Sequence, residues 1–405
     1  MLPVLFWFNR KALSIDMGAP YPTMHADGTL ALQQQVVRLE ALLEASRRIH
    51  STIQLDEVLR CGLEIVVREL EMDGAFFTGF PFSEGRIPPR FLVSCDYCDL
   101  TRGCARFPLS DKAGNHITDL VVIPKEGLQL SLEETDFLES LAVQTAVAIE
   151  NARHHERAVH LQRVEQDLAS ARAIQHSLLP QSIDPIPGYG IALRSVSCYE
   201  VGGDYVDILT LPSGHCLMIV ADVAGKGLAS AMIASSFRAA FRAMAASGLP
   251  LVQIAEQLNA LHFGEGLEAR RRYVTALFMK LDTAGNGLEV VNAGHNPALL
   301  FRSNSRHPAL LKASGTPIGM LPNAAYTSEA YDLPEGTRLL AYTDGLTEIF
   351  RGSDEFGMER LASTFYACRE PDGDTVLDSI WRTLEAFSTE TEQRDDMTAL
   401  VLLRR

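Results

Sequence analysis

The sequence predicts an α+β protein built in two parts, and three patterns carry that expectation. Apolar residues recur at helical spacing from Leu30 to His50 and again beyond Ser131. After residue 190 the chain changes to short apolar segments separated by turns and interrupted by helical pairs, which reads as antiparallel sheets covered by helices. Between the two parts Pro180, Pro185, Pro187, Gly188 and Gly190 mark a hinge. With 405 residues, 47% of them apolar and 21% charged, the composition is that of an ordinary globular protein long enough for two domains.

Taken in order, residues 1 to about 28 lack a core-forming pattern and are expected to be disordered, with Met17 or Met24 as alternative starts. Leu32, Val36, Leu39 and Leu43 then follow 4-3-4 spacing in a helix from Leu30 to His50. Ser51-Thr-Ile-Gln-Leu-Asp-Glu opens a second helix that runs toward Leu70. Strands are expected at Gly74–Phe80, Arg90–Ser94 and His116–Ile123. Ser131 and Glu134 form a capping-box pattern ahead of a long helix. Its continuation, Leu161, Val164, Leu168, Ala171 and Leu178, keeps heptad spacing with Gln175 as the one polar interruption, a pattern that favours a two-stranded coiled coil. Beyond the hinge, strands are expected at Cys216–Ala221, Tyr273–Leu281, Gly287–Asn292, Ala298–Arg302, Thr337–Tyr342 and Thr398–Leu403. Helices are expected at 228–247, 250–262 and 375–388, the first with Ile233, Phe237, Ala240, Phe241 and Met244 on one face.

A formal net charge of -15 argues against nucleic acid or an anionic membrane as partner. No apolar run has the length of a membrane span, and the basic Arg10 and Lys11 follow the first apolar stretch where a signal peptide needs them before it, so a cytoplasmic protein is expected. Seven cysteines, odd in number and scattered, suit a reducing compartment better than a disulfide framework. None is followed six positions later by Arg, so the thiolate loop of cysteine phosphatases is missing. Cys95-Asp-Tyr-Cys98 with Cys104 has no matching second pair, which weakens a zinc reading.

The chemistry concentrates in four aspartates at the junctions of apolar segments with Gly-rich or polar turns. These are Asp204 after Gly202-Gly203, Asp222 before Val-Ala-Gly225-Lys-Gly227, Asp344 before Gly345, and Asp395 beside Asp396. An Asp-Gly pair alone is usually a turn. Asp222 is harder to dismiss, because it ends a buried apolar run where a bare carboxylate is costly. Converging carboxylates need a cation to stay ionised at neutral pH, and oxygen-only ligands select Mg2+ or Mn2+ over zinc. A pair of such ions is a device for hydrolysing phosphate esters. The Val223 carbonyl is placed to join the Asp222 carboxylate. His295, between Gly294 and Pro297, reads as a turn residue rather than a catalytic acid.

These residues carry a resemblance. Glu200-Val-Gly-Gly-Asp-Tyr-Val-Asp207, Ala221-Asp-Val-Ala-Gly-Lys-Gly227, Asn292-Ala-Gly-His-Asn-Pro297, Gly315-Thr-Pro-Ile-Gly319, Tyr342-Thr-Asp-Gly-Leu-Thr-Glu348 and Arg394-Asp-Asp-Met-Thr398 resemble, in order, the catalytic domain of PPM (type 2C) serine/threonine phosphatases of the stage II sporulation branch. Ala171-Arg-Ala-Ile-Gln-His-Ser-Leu-Leu-Pro180 is similar to the segment that leads into that domain. Residues 30–155 resemble a GAF domain, on Ser51–Leu59 and Ser131–Arg153, with a stretch between them that is short for such a domain. The resemblance implies a GAF-like sensor at 30–155, a helical or coiled-coil linker at 156–180, and at 188–405 an antiparallel β-sandwich flanked by helices in αββα order.

It further implies two Mn2+ or Mg2+ ions, with Asp222 bridging them and Val223 adding its carbonyl. Asp344 and Asp395 would hold one ion; Asp204, with Glu200 beside it, would act on the other directly or through water. Gly202, Gly203, Gly225, Gly345 and Asp396 would support the site, the choice between Asp395 and Asp396 as direct ligand staying open. Water activated between the ions would attack phosphorus in line, without a phosphoenzyme. Lys226 and Ala224 stand where relatives often carry His or Ser. The implied substrate is a phosphorylated STAS-type anti-sigma-factor antagonist, and the implied assembly a homodimer through the linker and the GAF-like part. Two other classes compete. A phosphoprotein-binding scaffold without activity would have lost a metal aspartate, and none is lost. A diguanylate cyclase would share Gly202-Gly-Asp204, but Tyr205-Val206 replaces the Glu-Phe of that signature, and Asp344 and Asp395 have no place in it.

Overall fold

A computed structural model describes residues 26–88, 103–126, 128–211, 213–303, 305–388 and 393–405. The strand expected at Arg90–Ser94, the pair Cys95 and Cys98, and most of the expected disordered start lie outside the described residues. The chain divides into two compact units, Met1–Val164 and Glu165–Arg405.

In the first unit α1 (Ala26–Ile49) starts four residues before the expected helix, and α2 (Leu55–Glu64) ends in a π-helical turn at Ile65–Glu69. Strands β1 (Gly74–Phe77), β2 (Ser83–Gly85), β3 (Ala105–Ser110) and β4 (His116–Ile123) form an antiparallel sheet in the order β2-β1-β4-β3. Ile49, Leu59, Leu63, Phe77, Leu120, Leu138 and Ile149 fill the core between the sheet and the helices. The capping box forms as expected: Glu134 N donates to Ser131 Oγ at 3.1 Å, and Ser131 N donates to Glu134 Oε2 at 2.7 Å. It opens α3 (Leu132–Leu178), 47 residues long and so ~70 Å in length. Its buried side chains all lie between Phe137 and Ala152. Farther along, Leu161, Val164 and Ile174 are exposed.

The second unit is a sandwich of two five-stranded antiparallel sheets. One runs β11-β10-β13-β16-β5 and the other β12-β9-β8-β7-β6. In chain order these are β5 (Tyr189–Val196), β6 (Tyr205–Thr210), β7 (Cys216–Val223), β8 (Val274–Asp282), β9 (Gly287–Ala293), β10 (Ala298–Phe301), β11 (Ala309–Leu311), β12 (Glu329–Asp332), β13 (Arg338–Tyr342) and β16 (Met397–Arg404). A two-stranded hairpin, β14 (Phe350–Arg351) and β15 (Asp354–Glu355), stands apart. Strand side chains alternate between two buried faces, so nearly every position is apolar. Val206, Met218, Val220, Leu277 and Met279 meet Leu300, Leu339, Ala341, Leu400 and Leu402 between the sheets. The outer face of the β7–β8 sheet packs under α4 (Leu228–Ala246) and α5 (Leu251–Gly264), where Phe237, Phe241, Ile254 and Leu258 cover Ile219 and Phe278. The other outer face packs under α7 (Gly357–Ala367) and α8 (Gly373–Phe387), through Phe365, Ile380 and Trp381. The short α6 (Leu267–Arg270) follows α5. The layers are helix, sheet, sheet, helix.

Candidate metal centre

Four strand ends from both sheets supply the aspartates. Asp204 immediately precedes β6, and Asp222 sits at the end of β7, opposite Thr275 of β8. Asp344 opens the short 3-10 turn Asp344–Leu346 just after β13, and Asp395 and Asp396 immediately precede β16. Antiparallel pairing puts the start of β6 beside the end of β7, and the end of β13 beside the start of β16. All five carboxylates therefore gather at one end of the sandwich.

Their electrostatics show the gathering. Burial, then the charges of Asp344, Asp395 and Asp396, push Asp222 up to about 7. Asp204, 8% exposed, is pushed well above the carboxylate range by burial and by Asp222 and Asp396. Burial and Asp395 raise Asp344. Glu348, absent from the sequence-derived set, is raised by burial and by Asp344 and Asp395. Lys226 reaches this cluster from the Gly225–Gly227 turn: its ammonium lies 2.8 Å from Asp395 Oδ2 and donates to the Arg394 carbonyl.

The two neighbours at 395 and 396 have different surroundings. Asp396 accepts from the backbone N–H groups of Cys198 (2.8 Å), Gly203 (2.6 Å) and Asp204 (3.4 Å), so its oxygens are committed to the main chain. Asp395 Oδ1 accepts from Asp396 N at 2.9 Å, and its other oxygen faces Lys226. Thr343, also missing from the sequence-derived set, orients Asp204. Its hydroxyl accepts from Thr398 N at 3.0 Å and donates to Asp204 Oδ2 at 2.8 Å.

The supporting glycines have steric reasons. A Cβ on Gly202 would meet the Asp396 carboxylate, one on Gly203 would press on the Val223 carbonyl, and one on Gly345 would overlap the Asp396 carbonyl. Gly225 has φ of 101°, in the left-handed region that favours glycine. Glu200 is exposed in the loop before Asp204. His295 is buried at the expected turn: its backbone N–H donates to Asn292 Oδ1 at 2.8 Å, its Nδ1 pairs with Thr275 Oγ1 at 2.8 Å, and burial lowers its pKa to about 4.

Among the described residues no three His, Cys, Asp or Glu side chains are arranged to enclose one ion by themselves. The donor set nevertheless fits Mg2+ or Mn2+, which take one or two carboxylates and keep several waters. Every donor is an oxygen, and burial together with neighbouring carboxylates raises Asp204, Asp222 and Asp344, a penalty that divalent cations would offset. Beside Asp395 opens a cavity of about 270 Å³ lined by Gly345, Phe350, Trp381, Leu384, Arg394 and Met397 among others.

Residues 212–405 match the family model described as Stage II sporulation protein E (SpoIIE). The chain is 32% identical over 188 residues to the phosphoserine phosphatase RsbP of Bacillus subtilis, covering 45% of this chain and 46% of that protein. It is 26% identical over 265 residues to the protein IcfG of Synechocystis sp., covering 59% of this chain and 41% of that protein. It thus spans less than half the length of either curated relative. Among solved structures, the SiaA-PP2C domain of Pseudomonas aeruginosa has the same fold, with a TM-score of 0.53 and 22% identity over 61% of this chain and 98% of that one. Residues 212–405 are therefore similar to a SpoIIE domain, and the mixed α+β fold is that of the SiaA-PP2C domain.

Proposed function

We propose that the chain is a metal-dependent protein phosphatase that hydrolyses phosphoserine or phosphothreonine. The observation that carries this reading is the convergence of Asp204, Asp222, Asp344 and Asp395 from both sheets, with burial and neighbouring carboxylates raising Asp204, Asp222 and Asp344. Two bound Mn2+ or Mg2+ ions would neutralise the cluster, hold the phosphate and supply an acidified water. Asp222, with the Val223 carbonyl, is assigned between the two ions. Asp344 and Asp395 are assigned to one of them, and Asp204 to the other, with Glu200 near it. The three main-chain bonds on Asp396 favour a supporting part for it, and leave Asp395 as the direct ligand. Thr343 holds Asp204 in its rotamer. In the reaction the water oxygen bonds phosphorus as the phosphorus–seryl oxygen bond breaks, and the leaving oxygen takes up a proton. The cavity beside Asp395, lined by Phe350, Trp381, Leu384 and Met397 and also by Glu348, Glu385 and Arg394, offers room for a group flanking the phosphorylated residue.

The same reading extends to the rest of the chain. A GAF-like sensor at 30–155, a linker at 156–180 and a catalytic domain at 188–405 form the proposed order, in a cytoplasmic homodimer joined through the linker and sensor. A phosphorylated STAS-type anti-sigma-factor antagonist is the proposed substrate. The similarity to a protein named as a phosphoserine phosphatase supports the activity.

The test is phosphate release from a phosphoserine protein with Mn2+ or with EDTA, for wild type and Asp222→Asn. Release that needs Mn2+ and falls by at least about 100-fold in the variant is expected, since a direct ligand should cost no less than an outer one. Equal, EDTA-resistant release from both proteins would exclude the proposal.

A further inference from the structure

Gln175 interrupts the heptad run of α3, and its side chain is used elsewhere. Its Nε2 donates to the Gly202 carbonyl at 2.6 Å, and the Gly202 N–H donates to its Oε1 at 3.0 Å. One side-chain amide thus pairs with both polar groups of a single buried residue, as a neighbouring strand would. Gly202 leads directly into the site. The next N–H, of Gly203, donates to Asp396 Oδ2, and Asp204 follows. The loop is held on one side by Gln175 and on the other by the Asp396 carboxylate, against which Gly202 has no room for a Cβ.

The end of α3 is anchored close by. Arg238 Nε of α4 donates to the Leu178 carbonyl at 2.9 Å, and Gln181 Nε2 donates to the carbonyls of His176 (2.8 Å) and Leu179 (3.0 Å). Leu179 itself packs against the core between the sheets. These contacts fix the axial and rotational position at which Gln175 meets Gly202.

We propose that Gln175 is a positioning residue for the metal centre: its amide clamp fixes the Val201–Asp204 loop and thereby where Asp204 presents its carboxylate. The purpose of the clamp rests on the phosphatase reading above. Successive helix residues point about 100° apart, so a one-residue shift of α3 takes Gln175 off Gly202 and breaks both bonds together. Metal binding then depends on the register of a helix that begins more than forty residues earlier, at Leu132.

The experiment is Mn2+ titration calorimetry on the whole chain, for wild type, Gln175→Ala and Gln175→Glu. Glutamate keeps the length and an acceptor for the Gly202 N–H, but puts an oxygen against the Gly202 carbonyl. Both variants are expected to bind Mn2+ about tenfold more weakly or worse, as loss of an outer partner of a ligand does. KM for a phosphoprotein substrate should stay unchanged while kcat falls at limiting Mn2+. In EDTA the Gly202 amide should exchange hydrogen faster in Gln175→Ala than in wild type, a readout that needs neither metal nor activity. Circular dichroism and thermal unfolding in EDTA identify a variant that fails to fold, in which case the remaining variant decides. A folded variant with Mn2+ affinity within about twofold of wild type and unchanged Gly202 exchange overturns the clamp and leaves the phosphatase reading standing. A wild type that takes up no Mn2+ overturns both.

Discussion

The charge state of Asp222 makes the site measurable without a substrate. In the metal-free chain its pKa stands at about 7, against an ordinary 3.8. Between those values the native chain holds a proton that the unfolded chain has released, so native stability falls as pH rises through the window. His295 works in the opposite sense between about 4 and 6.5, because the native imidazole stays neutral while the unfolded one charges. The carboxylate effect is therefore cleanest above pH 6.5. In EDTA the wild-type Tm is expected to fall from there to about pH 8, less steeply for Asp222→Asn, and saturating Mn2+ should remove most of the difference. A Tm that climbs over the same range in EDTA would contradict the buried cluster. At this scale the sequence showed the four aspartates because each stands beside a glycine or a turn. Thr343 and Gln175 were not legible as site residues. One is a small polar residue in a motif, the other a flaw in a heptad, and only the folded chain shows what their side chains reach.

At the scale of elements, period-2 and apolar-run patterns located β4, β7, β8, β9, β10, β13 and β16 to within a residue or two. The strands that escaped notice have weaker local signals. β12 exposes three of its four residues, and β11 has three residues in all. β5 begins beside the Pro/Gly hinge and carries Arg194, and it owes its length to an eight-residue register with β16. Distant pairing decides such segments, and no local window contains it. β6 is also braced by an ion pair on its buried Asp207: Arg242 of α4 donates to both oxygens of Asp207, at 2.6 and 2.8 Å, and Tyr205 Oη donates to the same carboxylate at 2.6 Å. Element α3 carries a prediction of its own. Leu161 is 61% and Val164 42% exposed on a stripe with heptad spacing, a placement that costs free energy unless a second helix covers it. Leu161→Asp is expected to convert the proposed dimer to a monomer in light scattering, because a charge buried at the seam of a short coil would cost several kcal/mol, of the order of 3. A variant that remains as dimeric as wild type would place the dimer contact elsewhere or remove it.

At the scale of the whole molecule, the second unit does one thing with its architecture. Two sheets stack face to face, and loops at one end bring four strand termini together. The same burial that stabilises the sandwich raises Asp204, Asp222 and Asp344 above the ordinary carboxylate range. Antiparallel sheets covered by helices were legible beforehand from the alternation of strand runs with helical pairs. The αββα order and a shared aspartate site were legible from the motifs and the family they resemble; the route by which the aspartates gather was not. It depends on which strands neighbour each other, and the sheet order β13-β16 and β7-β6 supplies that. The most direct test of the account is where metal sits in the folded chain. Crystals grown with Mn2+ and measured at the manganese absorption edge should show two anomalous peaks among Asp204, Asp222, Asp344 and Asp395, with Asp222 touching both. Peaks elsewhere, or none at saturating Mn2+, would contradict the reading of this cluster as a hydrolytic metal centre.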